Sequence, residues 1–157
     1  MRNYVSIDMG LSALYLWDWT EGVGKKCDFS SAYEYHNMLT VELVTTDELI
    51  VEEPLIPSRR MASNNVSRFW ELFGMLEEFC LANNITFNVI NNKVWKKYID
   101  LDWKHLSGLK KKRTKKANRE YCDIIEKWDS GAVFDDHNIA DAKMIGYAWF
   151  HLTGGRI

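Results

Sequence analysis

Apolar residues change their spacing several times along this chain, and each change marks an element. Tyr4 to Asp8 is a short β-prone run, Met9-Gly10 permits a tight turn, and Ala13 to Trp19 is a second apolar run, so the chain is expected to open with a hairpin. Thr20 to Lys26 carries Gly22 and Gly24 and reads as the next turn, leading into a third strand over Cys27 to Tyr35. Asn37 to Thr46 suits a helix or a strand. Leu49-Ile50-Val51 is a continuous apolar run stopped by Glu52-Glu53-Pro54, the pattern of a strand covered on both faces that ends where proline withdraws a donor.

Asn64 or Asn65 is placed to cap a long helix in which Val66, Phe69, Trp70, Phe73, Leu76 and Phe79 recur at three- and four-residue steps. That helix should end near Asn83-Asn84. Ile85 to Ile90 is β-branched and aromatic and reads as a strand, followed by a helical turn around Val94 to Tyr98. Helical periodicity resumes near Lys115 and runs through Tyr121, Ile124, Ile125 and Trp128, and Asn138 is placed to cap a last helix from Ile139 to Leu152. The order implies an α/β class with a mixed sheet, an antiparallel meander joined to parallel strands and flanked by helices, expected as one domain over residues 1–157.

Composition narrows the setting. Seven Trp, seven Tyr and seven Phe within a 46% hydrophobic chain exclude a disordered polymer. Cys27, Cys80 and Cys122 are odd in number and scattered, which favours neither a disulfide framework nor a zinc knuckle. No segment reaches the roughly 20 apolar residues of a membrane span, so a soluble protein of the cytoplasm is expected. A net charge of −2 alone speaks against a nucleic-acid partner, but the charge is polarised. Between Trp103 and Arg119 stand Lys104, Lys110, Lys111, Lys112, Arg113, Lys115, Lys116 and Arg119 with no acidic residue.

Three acidic positions are embedded in apolar sequence: Asp8 in the first strand, Glu52 or Glu53 at the end of a later strand, and Asp141 in Ile139-Ala140-Asp141-Ala142. Singly, each has an ordinary explanation as a turn former, a solvated strand end or a residue favoured by a helix dipole. Together they suggest a shared cation, because a carboxylate in apolar surroundings is costly unless paired or metal-bound. Phosphodiester hydrolysis uses such a cluster, with two divalent ions about 4 Å apart held by hard oxygen ligands. Ala140 and Ala142 would let their helix approach the sheet closely.

Taken in order, Ser6-Ile7-Asp8-Met9-Gly10, Leu49-Ile50-Val51-Glu52-Glu53-Pro54-Leu55 and Asp135-Asp136-His137-Asn138-Ile139-Ala140-Asp141-Ala142 resemble the motifs of RuvC-type Holliday junction resolvases, in particular their bacteriophage-encoded branch. The resemblance covers most of the chain. It implies a ribonuclease H-like fold with a mixed five-stranded sheet, and a structure-selective endonuclease that resolves Holliday junctions and other branched DNA with Mg²⁺ or Mn²⁺, two ions per site. It further implies Asp8, Glu52 and Asp141 as metal-binding catalytic carboxylates, Glu52 being taken over Glu53 because it directly follows the apolar run. Where many members carry a carboxylate or His three residues before the helix Asp, this chain has Asn138, preceded by His137 and Asp136. The fourth ligand is therefore open, with Asn138 placed first.

Val94-Trp95-Lys96-Lys97 resembles the segment whose lysine reaches the scissile phosphate, which assigns Lys96 to stabilising developing charge. The run Lys110, Lys111, Lys112, Arg113, Lys115 and Lys116 resembles a lysine-rich connection that grips phosphates, and Arg59, Arg60 and Arg68 would extend it. The resemblance also implies a two-fold homodimer matched to the junction, for which Phe69, Trp70, Phe73 and Phe79 offer an apolar surface unless all face the core. Two other readings stand beside it: a ribonuclease H-like nuclease of hybrid duplexes, and a DNA-binding module without catalysis, which Asn138 would suit.

Overall fold

The computed structural model describes residues 1–54 and 63–154, so Arg59 and Arg60 lie outside the described residues. Strands β1 (Tyr4–Met9), β2 (Ala13–Asp18), β3 (Val23–Asp28), β4 (Glu48–Glu52) and β5 (Thr86–Ile90) form one mixed sheet in the order β3-β2-β1-β4-β5. β1 pairs antiparallel with β2 and parallel with β4, so the central strand joins the meander to the parallel half. Helices are α1 (Ala32–Leu43), α2 (Ser63–Ala82), α3 (Asn92–Tyr98), α4 (Trp103–Lys112), α5 (Lys115–Trp128) and α6 (His137–Thr153).

Strand side chains alternate between two apolar layers. Val5, Ile7, Leu14, Leu16, Leu49 and Val51 pack with α1 and α2 through Tyr35, Leu39, Leu72 and Leu76. Trp17, Ile50 and Ile90 pack on the opposite face with Trp95, Leu106, Leu109, Tyr121, Ala140 and Met144 from α3 to α6. Of the aromatic residues on α2, Phe73 and Phe79 are buried in the core, whereas Trp70 remains 39% exposed.

Small residues set how close α6 comes to the sheet. A Cβ on Gly146 would lie 2.6 Å from Ser6 Oγ and 2.5 Å from Trp19 Nε1, and one on Gly24 would lie 2.2 Å from Ile139 Cγ2. The buried Ser6 hydroxyl donates to the Ala142 carbonyl at 2.6 Å and accepts from Trp19 Nε1 at 2.8 Å. The helix is therefore tied to the middle of β1 by polar contacts as well as by packing.

Three expectations are corrected. The third strand is Val23–Asp28 rather than Cys27 to Tyr35, because Gly22 alone, at φ 67°, makes the turn while Gly24 continues the strand beneath Ile139. Its polar, lysine-bearing sequence is that of an edge strand protected from further pairing. The start of the basic run is helical: Asp102 caps α4 by accepting from the His105 amide at 3.1 Å, and Leu106 and Leu109 bury its inner face. Finally, Asp136 rather than Asn138 caps α6, its carboxylate accepting from the Asn138 amide at 2.8 Å.

Candidate active site

Asp8 lies one residue before the end of β1, and Glu52 ends β4. The parallel register sets Ile7 beside Val51, so one step further brings Asp8 beside Glu52 on neighbouring strands about 4.8 Å apart. Asp8 shares its face of the sheet with Ser6, against which α6 is tied, and Asp141 is carried on α6 one residue before the bonded Ala142. Residues 133 positions apart in the chain are thus brought into one electrostatic neighbourhood: Asp141 and Glu52 both raise the pKa of Asp8.

Each acid has a distinct environment. The Asp8 carboxyl is pushed well above the ordinary carboxylate range, first by loss of solvent and then by Asp141 and Glu52, with Lys110 and Lys96 opposing. Glu52 is also raised by burial; its Oε1 accepts from Asn92 Nδ2 at 2.5 Å and its Oε2 from Trp95 Nε1 at 2.8 Å, bonds that favour the charged form. The Glu53 carboxylate instead meets Asn91 Nδ2 at 3.3 Å. Asp141 is 4% exposed; one oxygen accepts from the Tyr121 hydroxyl and the other from Lys110 Nζ at 2.6 Å.

Lys110 departs from its expected place. The resemblance set it among solvated phosphate-gripping cations, whereas its ammonium turns inward to the carboxylates. The cause is its position: it continues the Leu106-Leu109 stripe of α4, one residue after a buried leucine. Burial works against its charge, but Asp141, Asp8 and Glu52 outweigh that effect and hold it protonated above its usual range. Lys111, Lys112, Arg113, Lys115 and Lys116 are exposed, with Arg113 in the left-handed conformation at φ 52° between α4 and α5.

Lys96 borders the site, its Nζ 5.3 Å from the Trp95 ring centroid and 5.5 Å from that of Trp103. Its charge lowers the pKa of both Asp8 and Glu52. His137 Nδ1 faces Asn118 Oδ1 at 2.9 Å, and burial followed by the Lys110 charge lowers the imidazole pKa, so it is neutral at pH 7. Asn138, with Tyr15, Lys110, Arg113 and His137, lines a cavity of about 350 Å³.

The residues that sequence reasoning missed are the partners of the acids: Tyr121, Asn92, Trp95 and Lys110 in its inward role. Tyr121 and Lys110 carry a detectable signal, since both occupy the apolar stripe of their helices. Asn92 and Trp95 carry none, because only the fold brings α3 against the end of β4.

Among the described residues, no group of three or more His, Cys, Asp or Glu side chains is already arranged to hold a metal ion. The donor set nevertheless fits a hard divalent cation. Asp8, Glu52 and Asp141 present carboxylate oxygens in a shared field, and no described residue donates a hydrogen bond to Asp8.

The sheet order and the helices flanking it give the described residues the fold seen in RuvC. Solved structures that it resembles include junction resolvases. Thermus thermophilus RuvC in complex with Holliday junction substrate matches over 98% of this chain and 97% of its own, with a TM-score of 0.66 and 12% identity. The yeast mitochondrial Holliday junction resolvase Ydc2 matches over 98% and 79%, with a TM-score of 0.52 and 12% identity. The fowlpox virus Holliday junction resolvase matches over 96% and 99%, with a TM-score of 0.50 and 15% identity. At these identities the likeness establishes the fold. No protein-family model and no curated protein sequence matches the chain.

Proposed function

We propose that this chain is a structure-selective endonuclease that resolves Holliday junctions and other branched DNA by divalent-ion-dependent phosphodiester hydrolysis. What supports the reading is the shared electrostatic field of Asp8 and Glu52 on neighbouring strands and of Asp141 on the helix packed over them, each in partly or fully desolvated surroundings. A protein that only bound DNA would gain nothing from one buried and two half-buried acids, which repel both the phosphate and one another. The neighbour solved with a Holliday junction substrate supports junction DNA over a hybrid duplex as the substrate.

Asp8, Glu52 and Asp141 would hold Mg²⁺ or Mn²⁺, with Asn138 offering a neutral oxygen beside them. Bound there, such ions supply water activation and neutralise charge on the leaving oxygen. The chain's own residues do the rest. Asn92 and Trp95 fix both oxygens of Glu52, so this acid enters the reaction without having to find its orientation. Ser6 and Gly146 set the depth of Asp141 relative to Asp8. Lys96 stands where its ammonium offsets charge developing on the phosphate. Lys111, Lys112, Arg113, Lys115 and Lys116 present an exposed basic surface from the end of α4 to the start of α5, which holds the backbone without reading bases. Paired cuts across a two-fold symmetric junction call for a two-fold homodimer, and the partly exposed Trp70 of α2 is its candidate contact.

The test is cleavage of a synthetic immobile four-way junction by the parent and by Asp8→Asn, with Mg²⁺, Mn²⁺ or chelator. Symmetric nicks near the crossover by the parent are expected, abolished by chelator and by Asp8→Asn. Equal cutting by the variant sinks the mechanism, and preferential cleavage of an RNA–DNA hybrid reassigns the substrate.

A further inference from the structure

We infer that Lys110 is a resident cation that competes with divalent ions for Asp141, and so limits how readily the DNA-free protein loads metal. The inference rests on the nuclease reading above but concerns a property of the site which that reading does not contain. Its basis is geometric. Lys110 Nζ lies 2.6 Å from Asp141 Oδ2, while the other oxygen of Asp141 takes the Tyr121 hydroxyl, so both oxygens are engaged before any ion arrives. The ammonium also sits in the field of Asp8 and Glu52, which places one positive charge among the three acids. A divalent ion held by the same acids would meet an ammonium of like charge at Asp141. One of the two must yield.

The fold gives Lys110 a way out. Leu106 and Leu109 anchor α4, but Lys110 begins its last turn, its side chain is 34% exposed, and the helix breaks three residues later at Arg113. The ammonium can therefore swing to solvent by side-chain rotation without unpacking the helix. Asp141, 4% exposed on a helix tied to β1, cannot leave. The competition is thus resolved by movement of the lysine.

The DNA-free full chain is titrated with Mn²⁺ and followed by calorimetry and by the electron spin resonance of free Mn²⁺. The parent is compared with Lys110→Met, which keeps the apolar stem and removes the charge. The carboxylate site is identified as the binding that disappears in Asp8→Asn. Lys110→Met is expected to bind Mn²⁺ at least about tenfold more tightly than the parent, as removal of a competing charge from the same site requires. Equal or weaker binding by a variant that still unfolds cooperatively overturns this inference alone. Absence of binding in both proteins overturns the nuclease reading together with it. Should Lys110→Met fail to fold, the parent gives the answer: the ¹³Cε–¹Hε signal of Lys110 is followed as Mg²⁺ is added. Movement toward the position of exposed lysines supports the inference, and a signal that stays in place at saturating Mg²⁺ refutes it.

Discussion

Gly146 occupies the point where α6 crosses the central strand, and replacing it with alanine separates the position of Asp141 from the stability of the protein. The added methyl would stand 2.5 Å from Trp19 Nε1, 2.6 Å from Ser6 Oγ and 2.8 Å from Ser6 Cβ. Carbon contacts are comfortable only at about 3.5 to 4 Å, so α6 must lift by roughly 1 Å, because Ser6 is held in the middle of the sheet. Overpacking of this kind costs about 1–3 kcal/mol. Alanine returns about 1 kcal/mol through its better helix propensity. The net loss is then about 0–2 kcal/mol, which lowers the melting temperature by only a few degrees in a protein of this size, at about 2–4 °C per kcal/mol. Activity should suffer far more, since Asp141 rides on the same helix and a misplacement of about 1 Å costs about 100-fold in rate. Gly74 on α2 is the control: a Cβ there meets nothing within 4 Å, so Gly74→Ala should melt slightly higher and cleave as the parent does. Single-turnover junction cleavage and thermal melting read the two effects separately. Cleavage by Gly146→Ala within about threefold of the parent, a barrier change below about 1 kcal/mol, would refute the positioning role of the α6–β1 contact.

Three further outcomes are expected. Asp8→Asn should stabilise the ion-free protein while abolishing cleavage, because it removes a carboxylate whose charged form is disfavoured by loss of solvent and by the neighbouring acids. Because the folded Asp8 carboxyl is raised above its unfolded value, its cost to the parent is full above the folded pKa and fades as pH falls to the ordinary carboxylate range. The stability gap between parent and variant, read from denaturant melts in chelator, should therefore close on acidification; a gap that widens contradicts it. Ser6→Ala strands the Trp19 indole and removes the second hydrogen bond of the Ala142 carbonyl, and should cost about 1–3 kcal/mol in thermal melts. Replacing Lys111, Lys112, Lys115 and Lys116 by alanine should weaken junction binding at low salt and flatten the salt dependence by about 0.9 for each phosphate no longer neutralised. An unchanged slope in fluorescence-anisotropy titrations would place the DNA elsewhere.

Much of this architecture was legible in the chain because the strands and long helices carry strong periodicity. Val5 to Asp8, Leu49 to Glu52 and the Val66 to Phe79 stripe announce β1, β4 and α2 directly. The errors fall where a local rule misled. Two glycines suggested a turn across Thr20 to Lys26, yet Gly24 serves packing against Ile139, which no local pattern reveals. Charge hid α4, since the lysines that make the run look like a loop sit on the solvated side of a helix capped by Asp102. The acids themselves stood out as charges in apolar sequence, whereas their partners did not. Tyr121 and Trp95 read as ordinary core aromatics, and their hydrogen bonds to Asp141 and Glu52 depend on tertiary placement alone.

The bond between Ser6 and Ala142 spans 136 residues, and it fastens the element bearing Asp141 to the element bearing Asp8. Pairings of such separation carry the largest loop-closure cost and form late in folding. A ribosome-bound or truncated chain lacking α6 therefore holds two acids without the third. On the proposed function, cleavage therefore waits for the chain to be finished and for its last helix to dock.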